Sequence, residues 1–180
     1  GPELVFAGVQ VVWVDDQTAS NVLRLLSPDE DTTATVSLRS SDGRETSFTA
    51  DLTAGLPLAV DLGAARTGTY RVDVSADADL VAGIRRSTGT GVGSDFSWLT
   101  PAPRIAQAAI FAVPAGPSPR LQLTADAPAT VTLVGDDGAE REIALAAGQL
   151  HTVAVSAGEG YDLRTTGPVR AAITMGADGQ

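Results

Sequence analysis

Thr35-Val36-Ser37-Leu38 and Thr130-Val131-Thr132-Leu133 are one strand written twice, 95 residues apart, and each is followed at the same distance by a turn, Asp42-Gly43 and Asp137-Gly138. Working outward from this pair, Val60 and Leu62 meet Val153 and Val155 at an offset of 93, and Tyr70 meets Tyr161 at 91. Leu80, Ala82 and Ile84 meet Val169, Ala171 and Ile173 at 89. The offset shrinks only between strand-like runs, where surface connections tolerate a change of length. Residues 22–84 and 120–173 therefore carry the same ordered series of strand and turn signals.

Within each copy the apolar residues recur every second position, the period of a half-buried antiparallel strand. Ala34, Val36 and Leu38 share a face, with Thr33, Thr35 and Ser37 opposite. Leu58, Val60 and Leu62 form a second such set, and Tyr70, Val72 and Val74 a third, with the charges Asp61, Arg71 and Asp73 on the opposite face. Each Asp-Gly pair predicts a two-residue hairpin in which both residues take positive φ. The first strand of each copy, Val9 to Val14 and Ile105 to Val113, is apolar on both faces, which predicts a strand between layers or against the neighbouring domain. No stretch has a convincing helical period.

The signals predict about seven strands per copy, spaced as in a β-sandwich. A chain of 180 residues supplies two domains of a common small size. The expected fold class is all-β: two tandem immunoglobulin-like antiparallel β-sandwich domains. The first is expected over residues 1–90, a Gly-rich then aromatic and proline linker over 91–104, and the second over 105–180. Tyr70 follows Gly68 and Tyr161 follows Gly160, each opening a late strand. Both are assigned as structural corner tyrosines whose hydroxyls bond back to nearby backbone.

The balance of 22 acidic residues against 12 arginines, with no lysine, gives a net charge of −10. Such a field repels nucleic-acid phosphates and anionic lipid, so nucleic acid is excluded as an expected partner. No apolar run reaches the roughly 18 residues of a membrane span, so direct membrane insertion of this segment is not expected. The start lacks the layout of a signal peptide. Gly1-Pro2 is compatible with a protease-cleavage scar on a piece of a longer, anchored protein. The Ala, Gly, Val, Arg and Asp bias without lysine points to a high-GC bacterial genome.

Reactive chemistry finds little support in the residues. The absence of cysteine removes disulfides, thiolate nucleophiles and thiolate metal sites together. His151 is the sole histidine, and the 93-residue offset gives it the place of Leu58, as a packed or edge residue. Twelve serines and sixteen aspartates guarantee accidental Ser-His-Asp sets, so composition alone supports no triad. One histidine without cysteine makes a poor zinc site. Asp15-Asp16, Asp29-Glu30-Asp31, Asp77 with Asp79, and Asp136-Asp137 are oxygen-rich loops, but none has the spacing of a dedicated calcium loop. Thr88-Gly89-Thr90-Gly91-Val92-Gly93 looks superficially like a phosphate loop, yet no helix follows and no lysine is present. No catalytic residue, metal or cofactor is expected.

The scarce aromatics are the remaining candidates. Trp13 alternates within the first strand, while Phe96 and Trp98 stand between the glycine stretch and the Pro101 and Pro103 pair. Trp13, Phe96 and Trp98 are expected as interaction or interdomain residues, the last two between or beside the sandwiches. Exposed aromatics also stack on sugar faces, which makes carbohydrate binding the chief alternative, although an aromatic content of 4% weighs against it.

Taken together, Val22 to Ile84, the Asp95-Phe96-Ser97-Trp98 segment and Leu121 to Ile173 resemble an actinobacterial family of exported, cell-envelope-associated proteins of unknown function. Its sandwich repeats are built on a short apolar strand, a turn, a Thr-Val-Thr-Leu type strand and a late Val-x-Ala-x-Ile type strand. The resemblance supplies no catalytic or binding residue. It implies export, often behind a membrane anchor, and association with envelope assembly. The function expected is a non-enzymatic extracytoplasmic interaction or scaffold module of the bacterial cell envelope, whose partner is another envelope or membrane protein. A module for cell-wall glycan is the alternative, and an enzyme using carboxylates at the interdomain junction is third.

Overall fold

The computed structural model describes residues 3–11, 13–14, 17–18, 21–62, 65–88 and 95–176. These residues form only strands and their connections, and the chain divides into two compact units, Gly1–Pro101 and Ala102–Gln180. In the first unit β1 (Glu3–Val11), β8 (Gly68–Ser75), β5 (Thr32–Ser40) and β6 (Glu45–Leu52) make one sheet in the order β1-β8-β5-β6. The second sheet contains β10 (Asp95–Leu99), β9 (Val81–Thr88), β4 (Asn21–Leu26) and β7 (Leu58–Asp61), in the order β10-β9-β4-β7. A separate two-stranded ribbon joins β2 (Trp13–Val14) and β3 (Gln17–Thr18).

The second unit repeats this plan. β12 (Ala108–Ala112), β17 (Gly160–Thr165), β14 (Ala129–Gly135) and β15 (Glu140–Leu145) form one sheet in that order. β11 (Arg104–Ile105), β18 (Val169–Thr174), β13 (Arg120–Ala125) and β16 (Leu150–Ala154) form the other. Each unit thus sets eight described strands in two antiparallel four-stranded sheets, one more than the spacing predicts, and the first adds the two-stranded ribbon. β4 neighbours β7 and β5 neighbours β8, the pairings of strands B with E and C with F in an immunoglobulin sandwich. The first strand joins the β8–β5 sheet, however, and β9 joins β4.

The repeat extends to the ladders. Val36 pairs with Val74 and Phe48, and Val131 with Thr165 and Ile143; Leu23 pairs with Val60 and Ile84, and Leu121 with Val153 and Ile173. A one-residue slip would turn every apolar side chain of a strand to the wrong face, so the alternation fixes these registers. Val36, Val72, Leu23 and Ile84 meet in the core of the first unit; Val131, Leu163, Leu121 and Leu123 meet in that of the second.

Four local expectations need correction. Asp42 and Asp137 do not take positive φ; only Gly43 (φ 88°) and Gly138 (φ 77°) do. Ser40 N–H donates to Arg44 O (2.8 Å) and Gly43 N–H to Ser40 O (3.0 Å), with matching bonds from Gly135 to Ala139 and from Gly138 to Gly135. These bonds close a three-residue loop ending in a glycine bulge, one residue longer than the predicted turn, so one left-handed residue suffices. The first strand begins at Glu3, not Val9, and a bulge at Gly8 (φ 81°) changes which face points inward, so Phe6, Val9 and Val11 all reach the core. Its counterpart is split into β11 and β12, and Ile110, apolar like its neighbours, is 84% exposed and not held between layers. Asp95–Leu99, expected inside the linker, is an edge strand of the first unit. It ends where Pro101 has no N–H to give to a ladder. Residues 89–94 lie outside the described set.

Candidate functional site

The outer face of the β10-β9-β4 sheet carries Val81, Phe96 and Trp98, three of the four large exposed apolar side chains described in the first unit. Leu23 and Leu25 of β4 point into the core, so Val22, Arg24 and Leu26 point out. Ala82 and Ile84 of β9 pack inward, leaving Val81, Gly83 and Arg85 outward; Leu99 of β10 packs inward, leaving Phe96 and Trp98 outward. The register sets Arg24 beside Gly83, Leu26 beside Val81, and Arg85 beside Trp98. Trp98 is 55% exposed, Phe96 56%, Val81 57% and Leu56 62%. Scattered single apolar residues need no explanation, whereas a contiguous patch marks a contact surface.

Gly83 gives this face its shape. A Cβ at that position would stand 3.5 Å from Trp98 Cε3 and 3.7 Å from Cζ3, so the indole lies against bare backbone. Beside it opens a shallow hollow of 260 Å³ lined by Leu26, Pro57, Val81, Gly83 and Trp98, with Arg24 on the rim. Arg85 places its guanidinium carbon 5.1 Å from the Phe96 ring centre, within cation–π range. The arrangement suits an apolar or planar surface that also offers hydrogen-bond acceptors. Sequence reasoning picked out Phe96 and Trp98 but missed Val81, Leu56 and Arg24. The outward parity of Val81 against Ala82 and Ile84 was the available signal.

The corner tyrosines are buried, and a hollow lies next to each. Tyr70 Oη donates to Arg66 O at 2.6 Å. Tyr161 Oη donates to Glu159 Oε2 at 2.7 Å and accepts from Ser156 N–H at 3.0 Å. Phe111 stacks on Tyr161 with ring centres 5.5 Å apart. The hollow by Tyr70 measures 510 Å³, with an apolar floor including Leu38, Phe48 and Leu62 and a rim including Arg44 and Arg66. The one by Tyr161 measures 350 Å³. At the first rim the Ser40 hydroxyl and then the Arg44 guanidinium hold the Asp42 carboxyl down to about 2, and Asp42 in turn raises Arg44.

The remaining candidates are dispersed. Trp13 stands opposite Thr18 in the small ribbon, and its side chain is outside the described residues. His151 is exposed on the edge strand β16 although Val153 and Val155 are buried. Of the acidic loops, Asp31 accepts from Ala54 N–H (2.8 Å), Asp136 from Gly160 N–H (2.8 Å) and Asp137 from Ala139 N–H (2.8 Å), each tying a turn. Asp15 and Asp16 lie outside the described residues. Among the described residues no three His, Asp or Glu side chains converge. Arg71, on the face opposite Tyr70, Val72 and Val74, is 5% exposed, bonded to Asp73 at 2.6 Å and facing Glu3 at 3.9 Å. Alternation assigned it to the face away from the core without revealing that this face is covered.

Matched sheets and registers define a tandem β-sandwich protein. Residues 1–158 match the Family of unknown function (DUF5719), and the chain belongs to that family. No curated protein matches it. Among solved structures it is similar to Thermotoga maritima 1070, at 10% identity over 54% of this chain and 90% of that one, with a TM-score of 0.46. It is also similar to YhaK from Escherichia coli, at 13% identity over 95% and 81%, with a TM-score of 0.31.

Proposed function

We propose that the protein is a non-enzymatic interaction or scaffold module of the bacterial cell envelope, acting outside the cytoplasm, with the outer β10-β9-β4 face of the first unit meeting another envelope or membrane protein. The observation that carries this is the concentration of exposed apolar residues. Of the five large exposed ones among the described residues, Leu56, Val81, Phe96 and Trp98 belong to the first unit, and Val81 and Trp98 share a hollow. Aromatic side chains beside an arginine are the composition of protein-contact hot spots. The net charge of −10 supports a protein partner over nucleic acid or anionic lipid. The compositional bias and the resemblance of the repeats to exported actinobacterial proteins support the location. Replacing Phe96 and Trp98 together with Ser tests it: co-purification of a defined envelope partner from the native host should be lost while the circular dichroism spectrum is kept. Retention of the partner by the double variant excludes this face.

One observation favours a glycan as second reading. Trp98 lies over Gly83 and remains half exposed, the disposition of a sugar-stacking platform. Tryptophan fluorescence titrated with cell-wall glycan fragments separates the two. A saturable change lost in Trp98→Ala would favour the glycan over the protein partner.

A further inference from the structure

The two units differ at one edge, and the difference points to a binding mode. In the second unit Arg104 and Ile105 pair with Arg170 and Val169 at the start of β18. Ile105 packs against the core there. The ladders make Val169 the counterpart of Leu80 and Arg170 that of Val81: Leu26 pairs with Val81 as Thr124 pairs with Arg170, and Leu25 with Ala82 as Leu123 with Ala171. In the first unit β10 pairs only with Ile84 to Thr88 of β9. Among the described residues, nothing pairs with Val81–Gly83 on the side away from β4. The position that a two-residue strand fills in one copy therefore carries no ladder partner in the other, among the described residues.

The surroundings of the open edge fit an apolar guest. A strand seated there alternates its side chains. Its inward residue, placed as Ile105 is, would cap the core next to Leu80, itself packed on the core margin. Its outward residue would stand over Val81 at the hollow lined by Leu26, Pro57 and Trp98. In the second unit the outward residue is Arg104 and faces Arg170, so an apolar outward residue is specific to the first unit. An unpaired edge offers main-chain donors and acceptors for affinity while adjacent pockets select side chains.

We propose that Leu80–Gly83 of the first unit is a strand-accepting site for a short extended segment of a partner polypeptide carrying two adjacent apolar residues, the inward one aliphatic. This rests on the interaction-module reading for the partner being a polypeptide, and it adds the edge, the register and the guest's chemistry.

The probe is a synthetic peptide with the sequence of residues 102–108 in which the residue at Arg104 is replaced (Arg104→Val), titrated at millimolar concentration into the whole isotope-labelled chain. Amide resonances of Val81, Ala82 and Gly83 and the Trp98 indole should shift together, and the amides among them that point away from β4 should become protected from hydrogen exchange. The unsubstituted peptide should shift them at least several-fold less, and a peptide with Ile105→Pro should leave them unmoved. Shifts confined to β1, β6 or β7, equal shifts with the proline peptide, or no shifts overturn the proposal. So do the same shifts arising without peptide as the protein is concentrated, since a second copy would then be the guest. If the peptide fails while the Phe96 and Trp98 substitutions still abolish partner capture, the edge site falls and the face remains. If both fail, the interaction reading falls as well.

Discussion

Asp42 titrates low because its turn surrounds it with donors: the Ser40 hydroxyl first, then the Arg44 side chain and backbone N–H. Its midpoint, followed by carboxyl NMR, should lie at about 2 and return toward 3.8 in Ser40→Ala. The folded value is the lower one, so this carboxylate supports the fold fully above pH 3.8, and that support disappears as pH falls toward 2. Asp42→Asn should flatten that part of the acid limb of the stability curve; an unchanged limb would show that the pairing is absent in solution. Tyr70 makes a different demand, because it is buried with its hydroxyl on the Arg66 carbonyl. Tyr70→Phe should cost about 1 kcal/mol and Tyr70→Ala about 3 to 5 kcal/mol through the added cavity, measured by denaturant unfolding. The tyrosines were legible in the sequence because each stands just after a glycine at the opening of a late strand. Arg71 was not, because burial of an outward charge depends on what covers the face, and strand alternation carries no trace of a cover.

At the scale of strands, the inner members of the sheets were legible and the edges were not. β4, β5, β8 and β9 turn alternate apolar residues to the core, so their partners follow from the period-two pattern. β10 pairs along one side only and shows aromatic side chains to solvent, which in sequence looks like a linker with an anchor. The division of β11 from β12 was hidden for a related reason, since a run apolar on both sides does not disclose where it changes sheet. The exposed face itself was half legible: Phe96 and Trp98 stood out by rarity, whereas Val81 looked like one more strand valine. If Trp98 serves binding more than folding, its removal should be cheap. Trp98→Ala is expected to cost less than about 1 kcal/mol in denaturant unfolding, against about 3 kcal/mol for fully buried Leu23→Ala. A loss for Trp98→Ala matching that of Leu23→Ala would make the indole a structural element.

For the whole molecule, the repeat supplies two cores, each assembled from its own strands. Leu23→Ala should therefore accelerate amide exchange throughout β4, β8 and β9 while β13, β14 and β17 keep their protection; uniform acceleration in both units would show that they unfold as one. Division of labour follows from the same comparison, since two copies of one plan share their cores and ladders while the apolar outer face and the open β9 edge are features of the first. That the first unit carries the contact is the central claim, and site-specific photocrosslinking in the producing bacterium tests it most directly. A photoreactive residue at Val81 should capture one discrete envelope partner, and the same residue at Thr49, exposed on the opposite sheet, should capture none. Equal capture from both positions, or a discrete partner from Thr49 alone, would contradict the account.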